Sequence, residues 1–191
     1  MKIALLALLI LPAWAAAPKE DPVKKPLVDF AGAARCQAPE GWQSEKAESQ
    51  ADPALRFSHD SDLIKIRLFG GKGSRYQGPA DYLRGFEATS LGKPPQRLRQ
   101  SQVAGTTVWV YRHSYPLSAG APGFVDPRSP ALASEEFCIM PLGKRFFVLS
   151  WAHESPIPDP KSLGGKAWQE FLSSFAYIKG ERVGRILPRP E

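Results

Sequence analysis

The chain is poor in the residues on which most protein chemistry depends. Its 191 residues include three histidines, two cysteines and two methionines. None of the histidines stands in an HExxH spacing or in a Cys/His zinc pattern, so no metal site is read from spacing. No G-x-S-x-G elbow is present, and Gly70-Gly71-Lys72-Gly73-Ser74 lacks the spacing that sets a P-loop lysine on phosphates. Cys36 and Cys138 are far apart and form no CxxC pair, which removes the basis for thioredoxin-type redox chemistry. Lysines and arginines outnumber acids 25 to 19, for a formal charge of +6, yet no dense basic block occurs. Scattered charge of this kind reads as a solvated basic surface, and no specific nucleic-acid partner is expected. Accordingly no catalytic residue, metal ligand or cofactor is assigned from the sequence.

Long apolar runs are also missing, with one exception at the start. Met1-Lys2 is a short positive region, Ile3 to Leu11 is apolar, and Pro12-Ala13-Trp14-Ala15 ends in small residues. This three-part pattern predicts a signal peptide over residues 1–15, cut after Ala15. The apolar run is shorter than the roughly 20 residues that span a bilayer, so no transmembrane segment is expected after cleavage. The predicted location is therefore exported, periplasmic or secreted. In such a compartment an even cysteine count favours one disulfide, Cys36 to Cys138; in the cytosol the same pair would read as reduced core thiols. A bridge closing about a hundred residues would stabilise by roughly 2–4 kcal/mol if unstrained.

The rest divides by composition. Residues 16–35 are rich in Pro, Lys and Ala and read as a leader, with Val28, Phe30 and Ala31 as its only packing candidates. Residues 36–179 read as one domain, and 180–191 as a basic, proline-containing tail. Within the domain, Pro39-Glu40-Gly41-Trp42 reads as a turn. Alternating apolar residues predict strands over 55–59, 63–69, 96–103, 106–115, 135–140 and 144–153. Helical spacing predicts a helix from Pro79 and another ending near Phe175, the latter capped by Asp159-Pro160 or by Ser162. Residues 116–134 carry four prolines and predict a long loop. Six or so strands in antiparallel runs, with helices packed on the sheet, give the fold class α+β.

This order of elements resembles the PsbP-like α/β/α sandwich superfamily. The likeness rests on Ala38-Pro39-Glu40-Gly41-Trp42, the 55–57 and 64–68 strands, the helix from Pro79, the 108–115 and 146–153 strands, and the closing Trp168–Phe175 segment. It covers roughly residues 36–179. The superfamily includes a photosystem subunit, a nuclear protein acting on the Ran GTPase and many exported bacterial proteins. The resemblance implies a binding or accessory role rather than catalysis; it supplies no manganese, calcium or GTPase contact residues.

Two regions are candidate surfaces. Trp109, Tyr111, His113 and Tyr115 share one strand face, and Phe147, Leu149, Trp151 and His153 share another. If these stripes coincide they make an amphipathic groove; alternatively the closing helix covers them as core. The proline-rich loop offers Phe124, Val125, Asp126 and Arg128 as a stiffened recognition path, or else is a disordered insertion. A Ser150–His153 pair fails on geometry, since residues three apart in a strand face opposite ways. The expected function is a non-catalytic binding or accessory protein whose partner is another envelope protein. A carrier of a small apolar ligand is the alternative, and a hydrolase with a non-standard site comes third.

Overall fold

A computed structural model describes residues 26–47, 49, 51–89, 93–116, 132–155 and 163–178. The signal peptide, the basic tail and the loop positions Phe124 and Arg128 lie outside the described residues. The architecture is α+β and antiparallel throughout. Among the described residues ten strands form two sheets, and two helices of eleven residues pack on them.

The large sheet is built from two meanders. One comprises β3 (Gln43–Ala47), β4 (Ala54–His59) and β5 (Asp62–Phe69); the other comprises β6 (Gln96–Val103), β7 (Thr106–Pro116) and β8 (Leu132–Leu142). Strand β9 (Arg145–His153) enters between them, pairing with β5 on one side and β8 on the other, in the order β3-β4-β5-β9-β8-β7-β6. Its Phe146 to Ser150 are all buried, as befits a central strand covered on both faces.

The six expected strands are all present, with β8 longer than its 135–140 reading and the loop correspondingly shorter. Four others were not anticipated. Strand β3 is almost wholly exposed, so it has no apolar alternation to betray it. Strands β1 (Leu27–Phe30) and β2 (Ala34–Gln37) form a hairpin, joined by the two-residue β10 (Ala176–Tyr177) into a second sheet. That hairpin corrects the reading of 16–35 as a leader: the fold begins by Leu27, because Phe30, Ala33 and Ala34 are buried. Pro26 had suggested an open tether, but a proline preceding a strand leaves its ladder intact.

Helix α1 (Pro79–Thr89) covers one face of the large sheet. Its Tyr82 and Phe86 join Phe69, Tyr111, Phe137, Phe146 and Val148 in a compact aromatic cluster. Helix α2 (Gly164–Ser174) and the small sheet cover the other face. There Trp168, Phe171 and Phe175 meet Leu55, Phe57, Ile66, Phe147 and Leu149 in the main core. No helix among the described residues is long and apolar enough to cross a membrane.

Helix α2 starts at Gly164; Asp159-Pro160 and Ser162 lie outside the described residues. The N-cap position is Leu163, which makes no side-chain capping bond. The carboxylate of Asp62, at the start of β5, lies against the first turn of the helix. A Cβ on Gly164 would fall within the space of the Asp62 carboxylate, so the first turn of the helix rests directly on it.

Candidate functional site

Sheet register decides what became of the aromatic stripes. Tyr111 lies opposite Phe137, Phe137 opposite Ser150, and Ser150 opposite Lys65. That row faces α1. Val110, Cys138, Leu149 and Ile66 form the neighbouring row and face α2. The stripe of Trp109, Tyr111, His113 and Tyr115 is thus on the α1 face, whereas Phe147, Leu149, Trp151 and His153 are on the α2 face. They do not combine into one groove. Tyr111 stacks on Phe137, and Phe137 on Phe86, so helix α1 closes the first stripe. Trp109 stays partly exposed beneath Arg97, whose guanidinium stands 5.5 Å from its ring centroid. On the other face Phe147 is sealed by Phe30 and Phe175.

Under α1 lies a charged network that carries no metal or nucleophile motif in the sequence. Glu135 and His113 are direct cross-strand neighbours, with Glu135 Oε2 2.8 Å from His113 Nε2. Both side chains are more than nine-tenths buried. Arg67 Nη2 lies 3.6 Å from the other carboxylate oxygen and donates to the Tyr82 hydroxyl at 2.9 Å. The Phe86 ring sits 4.2 Å from the His113 ring, pinning the helix over the pair. Burial alone would raise the Glu135 pKa. The His113 hydrogen bond, Arg67, Lys65 and Ser150 overcome that and hold it at about 2. Burial lowers the pKa of neighbouring Lys65 and raises that of Tyr115, whose hydroxyl donates to Glu154 at 3.1 Å. The signal available in the sequence was Glu135-Glu136 inside an apolar strand, since acids buried there must meet cations.

A depressed carboxyl pKa stabilises the fold above its unfolded value near 4.5 and loses that contribution as pH falls toward 2. Glu135 is therefore expected to supply acid sensitivity of roughly 3 kcal/mol across this window. Glu135→Gln should flatten that limb and lower stability at neutral pH, where Arg67 and Lys65 lose their counter-charge. Urea unfolding of both proteins at pH 7, 4 and 2.5 checks this; parallel pH curves would remove Glu135 from the explanation.

On the α2 face Asp62 Oδ1 accepts a 3.0 Å hydrogen bond from Trp151 Nε1 and lies 3.0 Å from His153 Nδ1. This places Trp151 and His153 in an anchor for helix α2 rather than in a shared groove with Tyr111 and His113. Ser150 faces the opposite side, beside Glu135, in agreement with the strand geometry. His59 stacks beneath Trp42 at 5.9 Å and lies 3.3 Å from Asp60 at the β4–β5 turn.

The Gly70–Ser74 segment has its polar groups occupied. Ser74 Oγ donates to Asp52 and accepts from the Gly70 N–H, while the Arg75 N–H donates to the second Asp52 oxygen. Gly70 has φ +88°, and a Cβ there would meet the Lys144 carbonyl at 2.7 Å, so only glycine fits. Asp52 thus takes the place that an anion would occupy in this loop.

Cys36 and Cys138 are free, not bridged as expected in an oxidising compartment. They lie on different sheets in one core, and burial pushes each thiol up to about 12. Such thiols are inert, because the thiolate is the reactive form.

An open concavity of about 400 Å³ lies elsewhere, between the end of β1 and the β3–β4 connection. Asp29, Phe30 and Ala31 form one wall; Lys46, Ala47 and Pro53 form the other. Both β1 and β3 are edge strands, so each presents an unpaired backbone edge near the cleft among the described residues.

No family model matches the chain, and no curated protein matches it. Among solved structures, it is similar to a crystal structure from Bacteroides thetaiotaomicron VPI-5482, with a TM-score of 0.41 and 10% identity. The alignment covers 77% of this chain and 46% of that one, so the chain spans about half the length of its structural neighbour. Similarity at this level transfers no function.

Proposed function

We propose that the protein is an exported binding or accessory protein of the cell envelope, with a PsbP-like architecture and an envelope protein as its partner. The observation that carries this reading is the cleft between two edge strands, the kind of surface that accepts a partner's extended segment by strand addition. Two further features favour it over the alternatives. The space under the closing helix, where a carried ligand would sit, is filled by Trp168 and Phe171, which are 0% and 1% exposed. The hydrogen-bonded titratable pairs, His113 with Glu135 and His153 with Asp62, line neither that cleft nor its walls. The signal sequence and the element order shared with the PsbP-like superfamily support export and the accessory role.

The test is site-specific photo-crosslinking in cells, with the reactive residue at Lys46 in the cleft and, as control, at exposed Lys166 on α2. One dominant envelope protein captured from Lys46 and absent from Lys166 is the expected result. Equal or absent capture at both positions would overturn the reading, and native mass spectrometry of the purified protein would then look for a retained small molecule.

A further inference from the structure

We propose that Arg99 and Arg112 form a binding site for a single oxyanion group, a carboxylate or a phosphate, on the α2 face near the β6 edge. The edge strand β6 carries an irregularity. The β6–β7 register runs Gln96 opposite Arg112 and Arg97 opposite Tyr111, then shifts so that Arg99 lies opposite Val110. In an even strand, Arg97 and Arg99 would point to the same side. The bulge separates them. Arg97 stays on the α1 face over Trp109, while Arg99 turns to the α2 face. Bulges at sheet edges commonly re-aim a side chain in this way.

The redirected Arg99 meets Arg112 on one carboxylate. Arg99 Nη2 donates to Glu136 Oε2 at 3.0 Å, and Arg112 Nη2 donates to Glu136 Oε1 at 2.6 Å. Glu136 is 8% exposed, whereas the arginines are 45% and 49% exposed. A single guanidinium can satisfy a carboxylate with two parallel bonds. Here two cations share one acid, each through one nitrogen, and the site keeps a net positive charge. Each guanidinium has five N–H donors in a fixed fork, so most of them are left for solvent or a ligand. The exposed groups that follow on this face, Gln96, Ser114 and Ser134, are uncharged. Asp62, the acid in the next row, is already engaged by Trp151 and His153. A chain of net charge +6 adds long-range attraction for anions.

Neutralising Glu136 needs only one arginine. The second, delivered by a bulge, is explained by an external oxyanion that completes the pairing. This site is independent of the β1–β3 cleft and stands whether or not that cleft binds a partner.

The experiment titrates the full mature protein with sodium phosphate and, separately, sodium acetate, with ionic strength held constant by sodium chloride. Amide and arginine side-chain NMR shifts report binding. The expected result is saturable shifts confined to Gln96, Arg99, Arg112, Glu136 and their neighbours. Saturation by phosphate alone assigns the group to a phosphoryl source, and saturation by acetate assigns it to a carboxylate. Arg112→Gln should weaken binding about tenfold or more. Arg99→Lys keeps the charge and the Glu136 pair but loses the fork, and should fall between the two while keeping the native spectrum elsewhere. Shifts that do not saturate with either anion, or unchanged affinity in both variants, would overturn the proposal.

Discussion

Trp168→Ala is expected to cost about 4 kcal/mol, the upper range for deleting a large buried ring. Trp168 is fully buried on α2, stacked on Phe171 at 5.7 Å with 14° between the planes. Phe171 in turn packs on Phe57 of β4 at 6.0 Å, so one indole wedges the helix against the sheet. Its Nε1–H meets no acceptor among the described residues, which makes the ring a large apolar wedge with one unsatisfied donor there. Trp168→Phe removes that donor along with part of the volume, and the two effects oppose each other. Its cost should stay below about 2 kcal/mol. Urea unfolding at pH 7 measures both. A loss under about 1 kcal/mol for the alanine variant would mean that α2 does not seal the main core.

The second large effect is expected where β5 meets the start of α2. Asp62→Ala removes the acceptor for Trp151 and the partner of His153 at a buried site, and should destabilise by about 3 kcal/mol. Gly164→Ala should cost a similar amount for a different reason, since its new methyl would overlap the Asp62 carboxylate. The two effects share one space, so they should not add. With the carboxylate gone, the methyl has room, and the double variant should be little worse than Asp62→Ala alone. A double-mutant cycle from denaturant midpoints reads the coupling directly. Full additivity would show that Asp62 and Gly164 are not in contact.

The parts of the fold that could be read in advance are those in which one strand face is apolar and the other polar. Ile64, Ile66 and Leu68 alternate with Lys65 and Arg67, and the structure buries the first set in the main core. Strand β3, Gln43 to Ala47, has no such contrast, and its place at the sheet edge is why. The hairpin of β1 and β2 was masked by its proline-rich approach, although Phe30 was named as a packing residue. Whether the two aromatic stripes would meet depended on sheet order. Trp109 to Tyr115 and Phe147 to His153 each occupy a single face, but pairing through β8 puts those faces on opposite sides. Alternation fixes relative facing within a strand; it takes the register between strands to fix it across the sheet. The same limit hid the charged pairs. Glu135 and Glu136 are adjacent, so they point to opposite faces, and each finds its own cations: His113 and Arg67 on one side, Arg99 and Arg112 on the other. Slipping β8 by one residue would exchange these partners and expose the core row, so the two acids also hold the strand in register.

The insertion of β9 has a consequence for the order in which the molecule can assemble. Within the two meanders, β4–β5 and β6–β7 are joined by two-residue turns and can pair as they are made, whereas residues 117–131 separate β7 from β8. Neither meander is complete, because the partner that joins β5 to β8 is the last strand of the large sheet in the sequence. The β5–β9 ladder links residues near 62–69 to residues near 146–153, and β10 then ties residue 177 back to Ala34. Folding dominated by such distant pairings is slow. Two half-sheets with raw inner edges must persist until the chain has been synthesised beyond residue 153, and a polypeptide kept in that state is still a substrate for any machinery that needs it unfolded.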